Sequence, residues 1–184
     1  ESLDTFVKDR NWDKFHTARS TAMAFSCEVA ELMEYFSIYE YKSEMEEVKK
    51  ELGDCFITLF CVYRNIGFDI HEHLLESKSV EEDAFLSLQK IHVKYLSVRA
   101  GFLQETFLWI NEEENKNYKS NLPVKTLLEP FIILLSLCYV LNFKAVDVMN
   151  KKLILAAQKY ALNLTADESN LQKMNAAKMK KRGQ

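Results

Sequence analysis

Apolar residues recur at helical spacing along most of the chain. Ala22, Phe25, Val29, Leu32, Met33 and Phe36 form one such stripe, which predicts a helix from Arg19 to about Tyr39. A capping box, Ser43-Glu-Met-Glu46, opens a second long helix that runs to about Ile66, where Gly67 is a natural stop. Beyond Asp54 this helix turns almost wholly apolar, through Phe56, Ile57, Leu59, Phe60 and Val62. The same logic predicts a short helix from Leu3 to Asp9, and a short helix or linker from His71 to Ser77. Ser79-Val-Glu-Glu82 is a second capping box and opens a helix to about Ile110. Helices from about Lys125 to Asn142 and from Ala145 to Leu162 follow, and Thr165-Ala-Asp-Glu168 is a third capping box ahead of the tail. Asn11 to His16 and Asn111 to Leu122 read as connections. The expected fold is therefore all-α, a helix bundle forming one domain over residues 1–184, with a basic tail at 166–184.

Composition narrows this picture. With 48% hydrophobic and 12% aromatic residues, 184 positions can fill one good core. Four glycines and two prolines are few, which disfavours turn-rich sandwiches and Gly-dependent nucleotide folds; there is no GxGxxG and no Walker loop. A net charge of -3 does not imply a polyanion partner. The tail carries Lys178, Lys180, Lys181 and Arg182 with no interleaved aromatics, so a nucleic-acid partner is not expected. The apolar run from Phe131 to Phe143 is short for a membrane span and is expected to be a buried core helix, with no membrane partner. Cys27, Cys55, Cys61 and Cys138 lie in apolar helical runs without CxxC spacing, which predicts buried reduced thiols and an intracellular protein. The Asn163-Leu-Thr165 sequon would then be unused.

Two carboxylate pairs carry the candidate chemistry: Glu28-x-x-Glu31 and Glu51-x-x-Asp54. Residues three apart share a helix face, so each pair projects in one direction. If the two helices pack as an antiparallel hairpin, all four acids converge, and four anions in a partly dry site call for a neutralising cation. All-oxygen ligation points to magnesium, or to manganese. The alternative is a solvated acidic face paired with Lys42, Lys49 and Lys50. His71-x-His73 has the wrong spacing for one helix face, and His92 reads as a helix-surface or core residue.

A faint repeat is visible. Phe56 to Phe68 aligns without gaps on Phe131 to Phe143, which places Glu129 at the Asp54 position and Thr126 at Glu51. Phe102-Leu-Gln-Glu105 can be laid on Phe25-Ser-Cys-Glu28, with Leu108 where Glu31 would be. The chain would then comprise a metal-site half (10–69) and a degenerate half (80–162) that imitates a dimer; chance likeness between apolar helices is the alternative.

Trp12-Asp-Lys-Phe-His16-Thr-Ala-Arg19, Glu28-Val-Ala-Glu31-Leu-Met-Glu34 and Glu51-Leu-Gly-Asp54 together resemble the all-alpha nucleoside triphosphate pyrophosphatases, the MazG and dCTP pyrophosphatase family. The likeness is close from about Arg10 to Asp69 and loose elsewhere. It implies magnesium-dependent cleavage of a nucleoside triphosphate, dCTP or a related pyrimidine nucleotide, to the monophosphate and pyrophosphate. It further implies metal ions held by Glu28, Glu31, Glu51 and Asp54, with Glu31 positioning and deprotonating the attacking water. Trp12 and His16 become base-pocket residues, an aromatic plug on the bundle being their alternative, and Arg19 and Lys152 become phosphate contacts. The resemblance also implies a homo-oligomer, dimer or tetramer, for which a pseudo-dimeric monomer could substitute. Three departures concern the base pocket: Ile38 stands where relatives carry tryptophan, Thr58 where they carry tyrosine, and the closing polar pattern falls on Lys152, Ile154 and Ala156. A dUTPase-like specificity and a non-catalytic helical interaction protein with a relic acid cluster are the competing expectations.

Overall fold

A computed structural model describes residues 2–37, 41–76, 89–110, 122–160 and 168. They form seven α-helices with no strand among them: α1 (Leu3–Asp9), α2 (Ala18–Ser37), α3 (Met45–Ile66), α4 (Ile70–Glu76), α5 (Gln89–Leu108), α6 (Val124–Val140) and α7 (Ala145–Lys159). One 3-10 turn, Trp12–Lys14, lies within the first predicted connection. The second and third capping boxes at Ser79 and Thr165 fall wholly or mainly outside the described residues, as do Ile38 and nearly all of the basic tail.

Helices α2, α3, α6 and α5 pack in that cyclic order around a shared core, a four-helix bundle. Helices α2 and α3 run antiparallel: at one end Asn65 donates to the Thr17 carbonyl (3.3 Å) and the Thr21 hydroxyl (3.2 Å). The interior is Phe25, Leu32, Leu52, Phe56, Leu59, Leu96, Leu103, Phe107, Ile133 and Leu134, all fully buried. The α2 stripe is the one its spacing predicted, because a ~100° step per residue keeps positions three and four apart on one face. Helix α7 lies across the outside of α3. A smaller apolar cluster there joins Phe6 and Val7 of α1, Trp12 and Cys61 with Leu153, Ala157 and Tyr160.

Helix ends follow local chemistry. Ser2 caps α1 by accepting from the Thr5 N–H, and Gly67 closes α3 in the left-handed region (φ 67°), where its amide reaches the Tyr63 and Arg64 carbonyls. The α3 N-cap is Glu44 rather than Ser43, and the Glu44 side chain makes no capping bond. Inside α6, Pro130 cannot donate to the carbonyl four residues back. The buried Tyr63 hydroxyl donates to the Leu127 carbonyl at 2.5 Å, which satisfies the phenol inside the core. Among the described residues, no single helix is long and apolar enough to cross a membrane.

Candidate metal centre

Antiparallel packing brings Glu28 of α2 opposite the middle of α3. One carboxylate oxygen from each of Glu28, Glu51 and Asp54 lies within 4.8 Å of the other two. Glu31, one turn beyond Glu28, is not in this set. Glu51 and Asp54 are also three apart and both belong to the group, so spacing within one helix does not separate Glu28 from Glu31; the rotation of α2 against α3 does.

Glu51 is buried. Burial first, and then the neighbouring charge of Asp54, push its carboxyl up to about 7, with Lys152 pulling the other way. Asp54 is raised too, mainly by burial, against the opposing pull of Lys152. Lys152 comes from α7 and ion-pairs with Asp54, both side chains being partly buried. Behind the cluster Cys55 is fully buried, and its thiol is driven up by burial and by Glu28, Asp54 and Glu51 in turn.

A residue beyond those predicted makes this juxtaposition possible. A β-carbon on Gly53 would stand 2.6 Å from the Lys152 Cβ and 3.3 Å from the Val148 carbonyl oxygen. Helix α7 can approach α3 this closely only because position 53 has no side chain. The signal was available in the sequence: a lone glycine between two acids inside an apolar helix usually has a packing reason.

The donor set fits a hard divalent ion. Around one magnesium ion adjacent ligand oxygens stand about 3.0 Å apart and opposite ones about 4.2 Å, so three oxygens within 4.8 Å would draw together on binding it. Such an ion commonly takes one or two carboxylates and fills its remaining positions with water and phosphate oxygens.

The other candidate residues are placed elsewhere. Arg19 stands about 13 Å from Glu28 along α2, given nine residues at the helical rise. Its guanidinium donates to the Phe107 carbonyl (3.3 Å) and the Ile110 carbonyl (2.7 Å), closing the C-terminal end of α5. Trp12 is only 7% exposed, with its ring set edge-on to Phe6 (5.2 Å between centroids) and Tyr160 (5.0 Å). This packing is what the aromatic-plug alternative calls for. His16 is half-buried beside it, 6.0 Å from the indole. In the second half, Glu129 is held by Arg99 (3.0 Å) and Lys125 (3.8 Å), and Glu105 is exposed. One thiol also departs from expectation: Cys27 is exposed, because it sits on the far side of α2 from the packed stripe, while Cys55, Cys61 and Cys138 are buried.

No family model matches the chain, and neither a characterised protein nor a solved structure does.

Proposed function

We propose that the protein is a magnesium-dependent nucleoside triphosphate pyrophosphohydrolase, converting a (d)NTP, dCTP or a related pyrimidine nucleotide, to the monophosphate and pyrophosphate. The observation that carries this reading is the convergence of Glu28, Glu51 and Asp54 within 4.8 Å, with the Lys152 ammonium against Asp54. The likeness of the surrounding motifs to the all-alpha pyrophosphatases supports the choice of reaction.

Glu28, Glu51 and Asp54 would hold the metal, and Glu31 would complete their shell or orient water. When bound, magnesium supplies charge neutralisation of the triphosphate. Water attacks the α-phosphorus and the bond to the α–β bridging oxygen breaks. Pyrophosphate leaves with that oxygen, and a carboxylate, Glu31 by resemblance, accepts the proton of the attacking water. Lys152 can exchange Asp54 for a phosphate oxygen without leaving the site, since both are anions.

A second reading, a non-catalytic helical interaction protein, draws on the same ion pair: Lys152 already offsets part of the cluster's charge without a metal. A panel of nucleoside triphosphates with magnesium, scored for pyrophosphate, separates the two. Turnover that disappears in Asp54→Asn and Glu31→Gln supports the enzyme. Silence across the panel, together with no thermal stabilisation by magnesium and nucleotide, supports the scaffold.

A further inference from the structure

The corner between α3 and α4 recurs 75 residues later, between α6 and α7. Gly67 (φ 67°) and Asn142 (φ 60°) both take the left-handed conformation. In each corner the next amide reaches back to the carbonyl five residues earlier, Phe68 to Tyr63 (2.9 Å) and Phe143 to Cys138 (2.8 Å). Helices α4 and α7 then begin at Ile70 and Ala145, and each packs on the other hairpin, α4 on α6 and α7 on α3. Burial repeats in the same register: Leu52, Phe56, Leu59 and Val62 are buried on α3, as are their counterparts Leu127, Phe131, Leu134 and Leu137 on α6. Phe56 and Phe131 meet each other (6.0 Å between ring centroids), as equivalent residues do beside a two-fold axis.

Helices α2 and α5 obey the same two-fold, in a register that sequence likeness alone did not give. Buried Phe25, Leu32 and Phe36 of α2 answer to buried Leu96, Leu103 and Phe107 of α5, 71 residues on. The alignment of Phe25 with Phe102 fails, since Phe25 is fully buried and Phe102 is 47% exposed. The groove between the two helices carries the same register: Ser26, Ala30 and Met33 line one wall, and their counterparts Ser97, Gly101 and Gln104 line the other.

This two-fold carries the carboxylate centre onto a second place in the bundle. Asp54 maps onto Glu129, Glu51 onto Thr126 and Glu28 onto Arg99. One acid of three is kept, and a cation stands where an acid stood. The Arg99 Nε lies 3.0 Å from the Glu129 carboxylate, both side chains being only 22% exposed. The Lys125 ammonium is 3.8 Å away on the solvent side. Tyr95 and Phe102, one turn before and after Arg99, stand with their ring centres 5.2 and 5.6 Å from its guanidinium carbon. Two aromatic residues left half-exposed on α5 thereby flank the cation and hold it against Glu129.

We propose that Arg99 is a resident replacement for the divalent ion at this twin of the carboxylate centre. A partly buried carboxylate needs a positive charge beside it, and a guanidinium tethered to the neighbouring helix supplies it permanently. The twin is thus a closed metal site, and the chain takes up metal at one of two equivalent places. Arg99 has this role only if Glu28, Glu51 and Asp54 hold a metal ion, as proposed above.

Manganese alone, titrated into the full chain with the free ion followed by electron paramagnetic resonance, tests this. The wild type is expected to bind one ion. Thr126→Glu should still bind one, because Arg99 remains in place. Thr126→Glu combined with Arg99→Glu restores three acids to the twin and should bind two; adding Asp54→Asn to that pair of changes should return the count to one. If Arg99→Glu prevents folding, judged by the helical circular dichroism spectrum, Arg99→Gln with Thr126→Glu takes its place. Two carboxylates are enough for such an ion, so a weaker second site is expected there. A second ion in the wild type or in Thr126→Glu alone overturns the proposal, since Arg99 would not be closing the twin. A folded combined variant that gains no ion overturns it too, while the single ion of the wild type leaves the carboxylate centre standing. A wild type that binds none overturns the metal reading of that centre, and the role of Arg99 with it.

Discussion

Gly53 and Lys152 approach too closely for a side chain at position 53: a β-carbon on Gly53 would lie 2.6 Å from the Lys152 Cβ and 3.0 Å from its Cγ. The atoms in the way are the stem of the lysine where it leaves α7, not its flexible end. Alanine normally favours a helix interior over glycine by about 1 kcal/mol. Overpacking of this kind costs about 1–3 kcal/mol. Gly53→Ala is therefore expected to lower the urea midpoint and to weaken the stabilising effect of magnesium, as α7 is pushed off and carries Lys152 with it. A raised midpoint would show that α7 is not pinned at this glycine.

The acid cluster makes the metal-free fold sensitive to pH. Glu51 loses its proton near 4.5 when unfolded and only at about 7 when folded. Between these values the native state binds more protons than the unfolded state, so stability falls as pH rises through the window. The full effect is about 3 kcal/mol at most. Glu51→Gln should flatten the slope, and melting curves in chelator at several pH values would show it. Magnesium should act in the opposite sense, because carboxylates bind metal deprotonated: the gain in melting temperature on adding magnesium should grow as pH rises through about 7.

Trp12 and Arg19 are expected to act on stability rather than on nucleotide affinity. Trp12→Ala empties the space between Phe6 and Tyr160 and should cost about 3–5 kcal/mol. Arg19→Met removes two charge-assisted bonds at the end of α5 and should cost about 1–3 kcal/mol. In each variant, KM for the preferred nucleotide should stay near the wild-type value under conditions where the protein is folded. A large rise in KM for Arg19→Met would return the phosphate role to this residue.

Thiol reactivity should divide the cysteines. Cys27 is exposed, and Cys55, Cys61 and Cys138 are buried. Burial also pushes the Cys138 thiol up to about 12 and holds the Cys55 thiol well above its ordinary value, which lowers the reactive thiolate fraction. A colorimetric thiol reagent should titrate one group in the native protein and four in denaturant. Cys27→Ser should abolish the fast phase; more than one fast thiol would show that α3 or α6 opens locally.

The all-helical fold was legible because it depends on local pattern. A stripe such as Ala22, Phe25, Val29, Leu32 and Phe36 specifies both the helix and the face it buries, and Gly67 specifies where α3 ends. Half of the candidate centre was legible in the same way. Glu51 and Asp54 lie three apart at the threshold of an apolar half-helix, and that spacing alone requires them to point together. The capping box at Ser43 was less informative, since the N-cap of α3 falls one residue later, on Glu44.

What spacing could not decide was register between helices. Glu28 and Glu31 are equivalent as a sequence pair, yet only Glu28 joins Glu51 and Asp54, because the packing of apolar side chains sets the rotation of α2 against α3. Arg19 and Lys152 were equivalent as cations. One is engaged by the carbonyls at the end of α5; the other reaches Asp54 because Gly53 lets α7 close on α3. The sequence by itself determined that this chain is a bundle of helices carrying acids at metal-ligand spacing, since both follow from periodicity along one helix. Which acids meet, and which cation meets them, was decided by tertiary structure, because those contacts depend on rotations and approaches between helices distant in the chain.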